Sequence, residues 1–272
     1  MRNSNHAGFP VAAIQMVSTP GVQENLDRAG ALIAQAAQAG AQLVALPEYF
    51  CFMGRSDRDK LAVCEEPGSG PIQEFLSAAA SGHRIWLAGG TLPLRCPDPE
   101  RVFNTQLVYG PDGGLRMRYD KIHLFNFSKG EESYDESIAI RPGGQVRAFD
   151  APCGRVGLSV CYDLRFPELY RALGDVSLVL VPAAFTYTTG RAHWELLLRA
   201  RAVENQCYVL ASAQGGRHPN GRRTWGHSML VDPWGEVLDV LPEGEGVVGG
   251  TIDAERLQSV RASLPAWRHR VL

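Results

Sequence analysis

Glu48, Lys121 and Cys161 each stand directly after a run of residues suited to a buried β-strand. The runs are residues 43–47, 115–120 and 156–160. In α/β proteins the crevice beyond the carboxyl ends of the strands is where ligands bind. A carboxylate, an ammonium and a thiol gathered there can carry out nucleophilic acyl chemistry. The thiol attacks, the carboxylate takes its proton, and the ammonium steadies a developing oxyanion. A cysteine titrating near ~8.5 is mostly protonated at neutral pH, so it needs such a base.

Taken singly, each residue has a plainer reading. Most free cysteines are small buried hydrophobes, and this chain has six, at 51, 64, 96, 153, 161 and 207. Cys161 differs because residues 162–167 (YDLRFP) break its strand at once. That would put the thiol on a sharp turn with the following backbone N–H groups facing the same way. Glu48 follows Pro47 beside Tyr49, Phe50 and Phe52, where burial would raise its pKa; otherwise it is a helix cap or a solvated loop acid. Lys121 is flanked by Ile122, Leu124 and Phe125, although most lysines are solvated. The seven histidines are His6, His83, His123, His193, His218, His227 and His269. None follows a strand end as cleanly as Glu48, and His123 is read as structural.

Strand and helix patterns interleave to position these residues. Strands are expected at 11–17, 43–46, 85–88, 103–109, 115–119, 146–149, 155–160, 178–181, 208–212, 228–231, 237–240 and 247–252. Helices are expected at 25–39, 72–80, 167–173 and 193–205, where Trp194, Leu197, Leu198 and Arg201 recur at helical spacing. Asp253 reads as the N-cap of a last helix ending before Pro265. Residues 111–114 (PDGG) read as a hairpin turn. This is an α/β layered pattern with mixed sheet, since hairpins accompany the βα units. Residues 1–272 read as one domain, with 1–9 a flexible N-terminal extension.

Composition narrows the function classes. Twenty-seven basic and 29 acidic residues give a net charge of −2, so nothing favours nucleic acid or an anionic membrane as partner. The most apolar run, residues 178–185, is far short of the ~20 residues needed to span a bilayer. No apolar leader stands at the N-terminus. The cysteines form no CxxC pair or zinc-type cluster, so the thiols are expected to be free, with no metal bound, in a reducing, cytoplasmic compartment.

Three blocks resemble the signature segments of the nitrilase superfamily of carbon–nitrogen hydrolases. They are Ala45-Leu46-Pro47-Glu48-Tyr49, residues 119–125 (YDKIHLF) and residues 157–168 (GLSVCYDLRFPE). Residues 225–228 (WGHS) and 232–236 (DPWGE) resemble its late strand-and-turn motif, so the likeness covers essentially the whole chain. It implies a Glu48-Lys121-Cys161 triad, a four-layer αββα sandwich that forms a homodimer, and no cofactor. It also implies a supporting acid at Glu136, ahead of Glu131 and Glu132, which are expected to be solvated loop charges. The Tyr162 N–H, with Lys121, would hold the oxyanion.

Within that superfamily, residues 184–195, 199–206 and 211–218 are similar to segments of deaminated glutathione amidases and ω-amidases. The implied substrate is a small α-keto acid amide, deaminated glutathione or α-ketoglutaramate, cleaved through a thioester. Such anions call for a cation. Arg165 and Arg191 are candidates, together with Phe185, Thr186 and Thr188. Arg165 could instead brace its turn against Glu168, and the threonines could satisfy loop backbone. Arg191 departs from a proline expected in many relatives. An N-carbamoyl amide hydrolase or a nitrilase is the alternative enzyme. A non-catalytic scaffold or thiol sensor is the alternative from another class.

Overall fold

The computed structural model describes residues 8–130 and 132–271. The chain begins with β1 (Phe9–Gln15), α1 (Val22–Gln38), β2 (Leu43–Ala45), α2 (Pro71–His83) and β3 (Trp86–Ala88). β4 (Leu92–Arg95), β5 (Val102–Tyr109) and β6 (Leu115–Asp120) follow, and then a small hairpin, β7 (Asn126–Lys129) and β8 (Glu132–Asp135). The second half runs through β9 (Ala148–Ala151), β10 (Gly154–Leu158), α3 (Pro167–Ala172), β11 (Leu178–Ala183) and α4 (Tyr187–Asn205). It ends with β12 (Tyr208–Ala213), β13 (Ser228–Val231), β14 (Val237–Leu241), β15 (Gly246–Ile252) and α5 (Ala254–Ser263).

Two mixed sheets form. The first has the order β15-β1-β2-β3-β5-β4, with β6 also paired to β5; the second has the order β14-β13-β12-β11-β10-β9. β1, β2 and β3 are mutually parallel, and so are β10, β11 and β12. The last strand, β15, returns to pair antiparallel with β1, which laces the second half of the chain to the first.

Side-chain alternation explains the layering. Val11 and Ala13 of β1 face the second sheet, whereas Ala12 and Ile14 face the helices. Both faces of β1 are covered, so its sequence is an apolar run without polar alternation. α1 buries Leu26, Ala29, Ile33 and Ala36, spaced as one helical stripe, against the first sheet. α4 buries Trp194, Leu198 and Ala202 against the second. The layers run helix, sheet, sheet, helix, which is the expected αββα sandwich.

Some local expectations differ. α4 starts at Tyr187, six residues ahead of the expected 193, because Thr186 caps it by accepting from the Thr189 N–H. β4 contains Pro93 and sits at a sheet edge, where a missing N–H is tolerated. β7 and β8 are polar and pair only with each other, so no apolar periodicity marks them. Phe9, assigned to a flexible extension, is buried in β1; residues 1–7 of that segment lie outside the described residues. Among the described residues no helix is long and apolar enough to cross a membrane, no acidic, His or Cys cluster suits a metal ion, and all six cysteines are unpaired.

Candidate active site

Glu48, Lys121, Cys161 and Glu136 meet at one end of the sandwich. Glu48 lies three residues past β2. Its backbone passes so close to Gly90 that a Cβ there would stand 2.1 Å from the Pro47 carbonyl oxygen; Gly90 also has φ +53. Only glycine fits that approach. The second sheet supplies further anchors. The Ser212 hydroxyl donates to the Leu46 carbonyl at 2.8 Å, and the Gln214 amide donates to the Glu48 carbonyl at 3.0 Å. The Glu48 carboxylate itself accepts from the Ala184 N–H at 2.9 Å and from the Asn104 amide at 2.9 Å.

Lys121 follows β6 and is fully buried. Its Nζ donates to Glu48 Oε1 at 2.9 Å and to Glu136 Oε1 and Oε2 at 2.9 and 2.7 Å. An ammonium has three N–H donors; one serves Glu48, and the two oxygens of Glu136 can share another. Glu136 also accepts from the Tyr49 hydroxyl at 2.7 Å and the Phe125 N–H at 2.7 Å. It is thereby placed to orient the lysine.

Cys161 opens a short 3₁₀ turn, Cys161–Arg165, directly beyond the strand-like Val160. Its φ is +51, a left-handed conformation unusual for a side chain with a Cβ. Asp163 holds the turn in that shape. Its buried carboxylate accepts from the Val160 N–H at 2.8 Å, the His123 N–H at 3.0 Å and the Tyr119 hydroxyl at 2.6 Å. Tyr119 and His123 flank Lys121, so one carboxylate joins the thiol's turn to the lysine's strand. His123 also stacks on Phe166 with ring centroids 3.7 Å apart, which gives it the structural role expected of it. From α4, Arg201 donates to the Leu164 carbonyl and braces the turn from behind. The Tyr162 N–H has no acceptor among the described residues.

The charges are set against one another. Burial pushes the Glu48 carboxyl up and outweighs the opposing pull of Lys121, with the neighbouring Glu136 charge adding a smaller push in the same direction. Burial would lower the Lys121 ammonium, but Glu136 and Glu48 outweigh it and hold the lysine charged, well above its ordinary range. Glu136 stays below the usual carboxylate value despite burial, because Lys121 attracts and bonds it. The Cys161 thiol is raised well above its ordinary value by burial and by the Glu48 charge. It rests as a thiol facing a carboxylate of raised basicity.

Two connected hollows open onto Cys161. The larger is lined by Tyr49, Phe125, Tyr134, Arg222 and Arg223 as well as by Glu48 and Glu136. The smaller is lined by Phe125, Tyr162, Arg165, Phe185 and Thr186. Arg165 lies over the Tyr162 and Phe185 rings and reaches His193 at 3.3 Å, with no ion pair to Glu168 among the described residues. Thr186 borders both hollows while capping α4.

Two expected residues are placed elsewhere. Arg191 lines neither hollow. It is one residue past Gly190, which packs on Trp225, and the ~100° step of a helix turns it to the exposed face of α4. Thr188 also lies outside both hollows, and its hydroxyl donates to Glu132 Oε1 at 3.0 Å. Glu132 is accordingly half-buried in β8 and not a solvated loop charge. Glu131 lies outside the described residues. The sequence reading missed Tyr49, Asn104, Asp163, Arg222 and Arg223. Of these, Tyr49 and Asp163 carried a signal, since each lies in a recognised block next to a triad residue.

Residues 10–262 match the family described as carbon–nitrogen hydrolase. The chain belongs to the carbon–nitrogen hydrolase family. It is 41% identical to the mouse deaminated glutathione amidase over 99% of this chain and 86% of that one. It is 40% identical to the Xenopus tropicalis omega-amidase NIT2 over 97% and 95% of the two chains. Among solved structures, the C. elegans NitFhit protein superposes with a TM-score of 0.87 at 38% identity, covering 97% of this carbon–nitrogen hydrolase but 65% of that chain. An amidase from Nesterenkonia sp., TM-score 0.76 and 29% identical over 94% and 98% of the chains, carries acrylamide added at its active-site cysteine.

Replacing Asp163 tests the bracing of the turn. Asp163→Ala leaves the buried Val160 N–H and Tyr119 hydroxyl and the partly buried His123 N–H unpaired, at about 1–3 kcal/mol for each fully buried donor. Urea unfolding should therefore show a loss of about 3 kcal/mol or more; an unchanged midpoint would contradict the role given to this carboxylate.

Proposed function

We propose that this hydrolase is a cysteine amidase acting on small α-keto acid amides, with deaminated glutathione and α-ketoglutaramate as the first substrates to consider. One observation carries the reading. A thiol held on a left-handed strand-end turn faces a buried carboxylate whose Oε1 is 2.9 Å from a buried ammonium, at the mouth of a cleft. The relatives named as deaminated glutathione amidase and omega-amidase support the substrate class, and Arg165 in the smaller hollow supports an anionic acyl group.

Each step follows from this geometry. Glu48 takes the Sγ proton as sulfur bonds to the amide carbonyl carbon. The resulting oxyanion accepts from the Tyr162 N–H and is stabilised by the Lys121 ammonium. Glu48 then protonates the leaving nitrogen, the C–N bond breaks and a thioester remains. Water, deprotonated by Glu48, attacks that thioester; the C–S bond breaks and the proton returns to sulfur. The raised thiol means that proton transfer accompanies attack and does not precede it. General base assistance of this type is worth ~10²–10⁴-fold and one oxyanion donor ~10²–10³-fold. A thiol sensor would need none of the Glu48-Lys121-Glu136 apparatus.

We further propose a homodimer. Leu196 and Val203, seven residues apart on the outer face of α4, are exposed together with Trp234. Gly235, next to that tryptophan, abuts Val203. Sedimentation equilibrium should give twice the 29.7 kDa chain mass; a monomer at micromolar concentration would exclude the pairing.

The direct test follows α-ketoglutarate release from both substrates and ammonia from α-ketoglutaramate. Wild-type protein should turn over at least one, and Cys161→Ala neither, while remaining folded. Carbon dioxide from a carbamoyl compound, without amide turnover, would instead identify an N-carbamoyl hydrolase. The pH profile offers a second test. Glu48 acts unprotonated, so kcat/KM should rise with pH through a limb above the ordinary glutamate value of 4.5. Glu136→Gln removes a like charge that raises Glu48, so the limb of its residual activity should move to lower pH; an unmoved limb would remove Glu48 as the base.

A further inference from the structure

Both hollows have Cys161 in their lining, and each also carries arginine. Arg165 serves the smaller one, and Arg222 and Arg223 serve the larger. Two cationic ends around one nucleophile fit a substrate that is anionic at both ends with its scissile amide between them. A primary amide supplies only one such end, since its leaving group is ammonia.

Arg223 is the more available of the pair. Its Nε is buried and has no hydrogen-bond partner among the described residues. Its one acidic neighbour, Glu243, is 3.5 Å away and largely exposed, so that pair is weak. Its guanidinium lies 3.7 Å from the centroid of the Tyr187 ring, which fixes the plane of the fork. Arg222 pairs with Asp57 at 3.0 Å, but Lys60 shares that carboxylate at 3.1 Å, so the group retains positive charge. Of the other acids lining the larger hollow, Glu48 and Glu136 are held by Lys121, and Asp135 accepts from the N–H and hydroxyl of Ser137.

The loop bearing these arginines is built in place. His218, buried, contacts the Ser18 carbonyl at 2.9 Å and the Thr224 hydroxyl at 2.8 Å. The Tyr187 N–H donates to the Arg223 carbonyl at 3.1 Å, and Thr186 and Thr224 form an antiparallel bridge. The arginines are thereby fastened to the same Thr186 segment that borders both hollows. A planar guanidinium with an unused buried donor is suited to a carboxylate.

We propose that Arg223, aided by Arg222, is the specificity-determining contact for a carboxylate on the leaving half of the amide, so that it sets the preference for such substrates over those that release ammonia or an uncharged amine. This rests on the amidase reading above. It assigns the acyl half to the Arg165 side and the amine half to the larger hollow, which has the greater volume.

Two readouts on the full chain test it. The first compares kcat/KM for deaminated glutathione with that for its C-terminal carboxamide. Wild type should favour the carboxylate by about tenfold or more through KM, Arg223→Met should bring the ratio close to one, and Arg223→Lys should restore part of it. The second is calorimetric binding of cysteinylglycine and its C-terminal amide, which needs no turnover. The dipeptide should bind at least tenfold more tightly than its amide, and Arg223→Met should erase the difference. If the wild type hydrolyses neither substrate yet discriminates the dipeptides, the amidase reading of these substrates fails and the carboxylate site stands. Equal binding of the two dipeptides, or a preference that survives Arg223→Met, overturns the proposal.

Discussion

The buried ammonium of Lys121 between Glu48 and Glu136 is the constraint around which this end of the molecule is arranged. A lone charge in such surroundings would cost several kcal/mol, and two lone carboxylates would repel each other. The lysine therefore has to be present for either glutamate to remain ionised, and the glutamates for the lysine. Glu48 adds a link between layers, because its second oxygen accepts from Ala184 in the other sheet. The ionic cluster thus fixes the relative position of the two sheets where the cleft opens.

The strained thiol depends on the same region. A left-handed cysteine costs about 1–3 kcal/mol and persists only where its surroundings over-determine it. Asp163 and Arg201 do this from two sides, one tied to the strand of Lys121 and the other to α4. The turn leaves the thiol against the Glu48 carboxylate and the Tyr162 N–H without an acceptor of its own. Strain, burial and charge therefore combine to keep the sulfur protonated until something electrophilic arrives. The cleft beyond is less uniform. Aromatic rings and arginines line it, so binding and chemistry are divided between different loops.

How much of this was legible in the chain varied with the physics. Glu48, Lys121 and Cys161 could be found because each follows a strand whose apolar run is visible in one dimension. Glu136 came from the likeness of the surrounding segments and not from periodicity. Arg191 was misplaced because its neighbours in sequence line the cleft, while the helix that begins at Tyr187 turns it outward. Arg222 and Arg223 were invisible, since they lie in an irregular loop with no period, and only the bridge to Thr186 carries them to the site.

The sequence by itself determined the layered α/β pattern, the family and the three residues at strand ends, because strand periodicity and residue type are local properties. It also determined that Cys161 sits on a break in its strand. Only the tertiary structure decided that one lysine satisfies two carboxylates, that Asp163 joins two distant segments and that arginines line both hollows at the thiol. Those are distances between residues remote along the chain. They arise when two sheets close face to face, and no one-dimensional pattern encodes them.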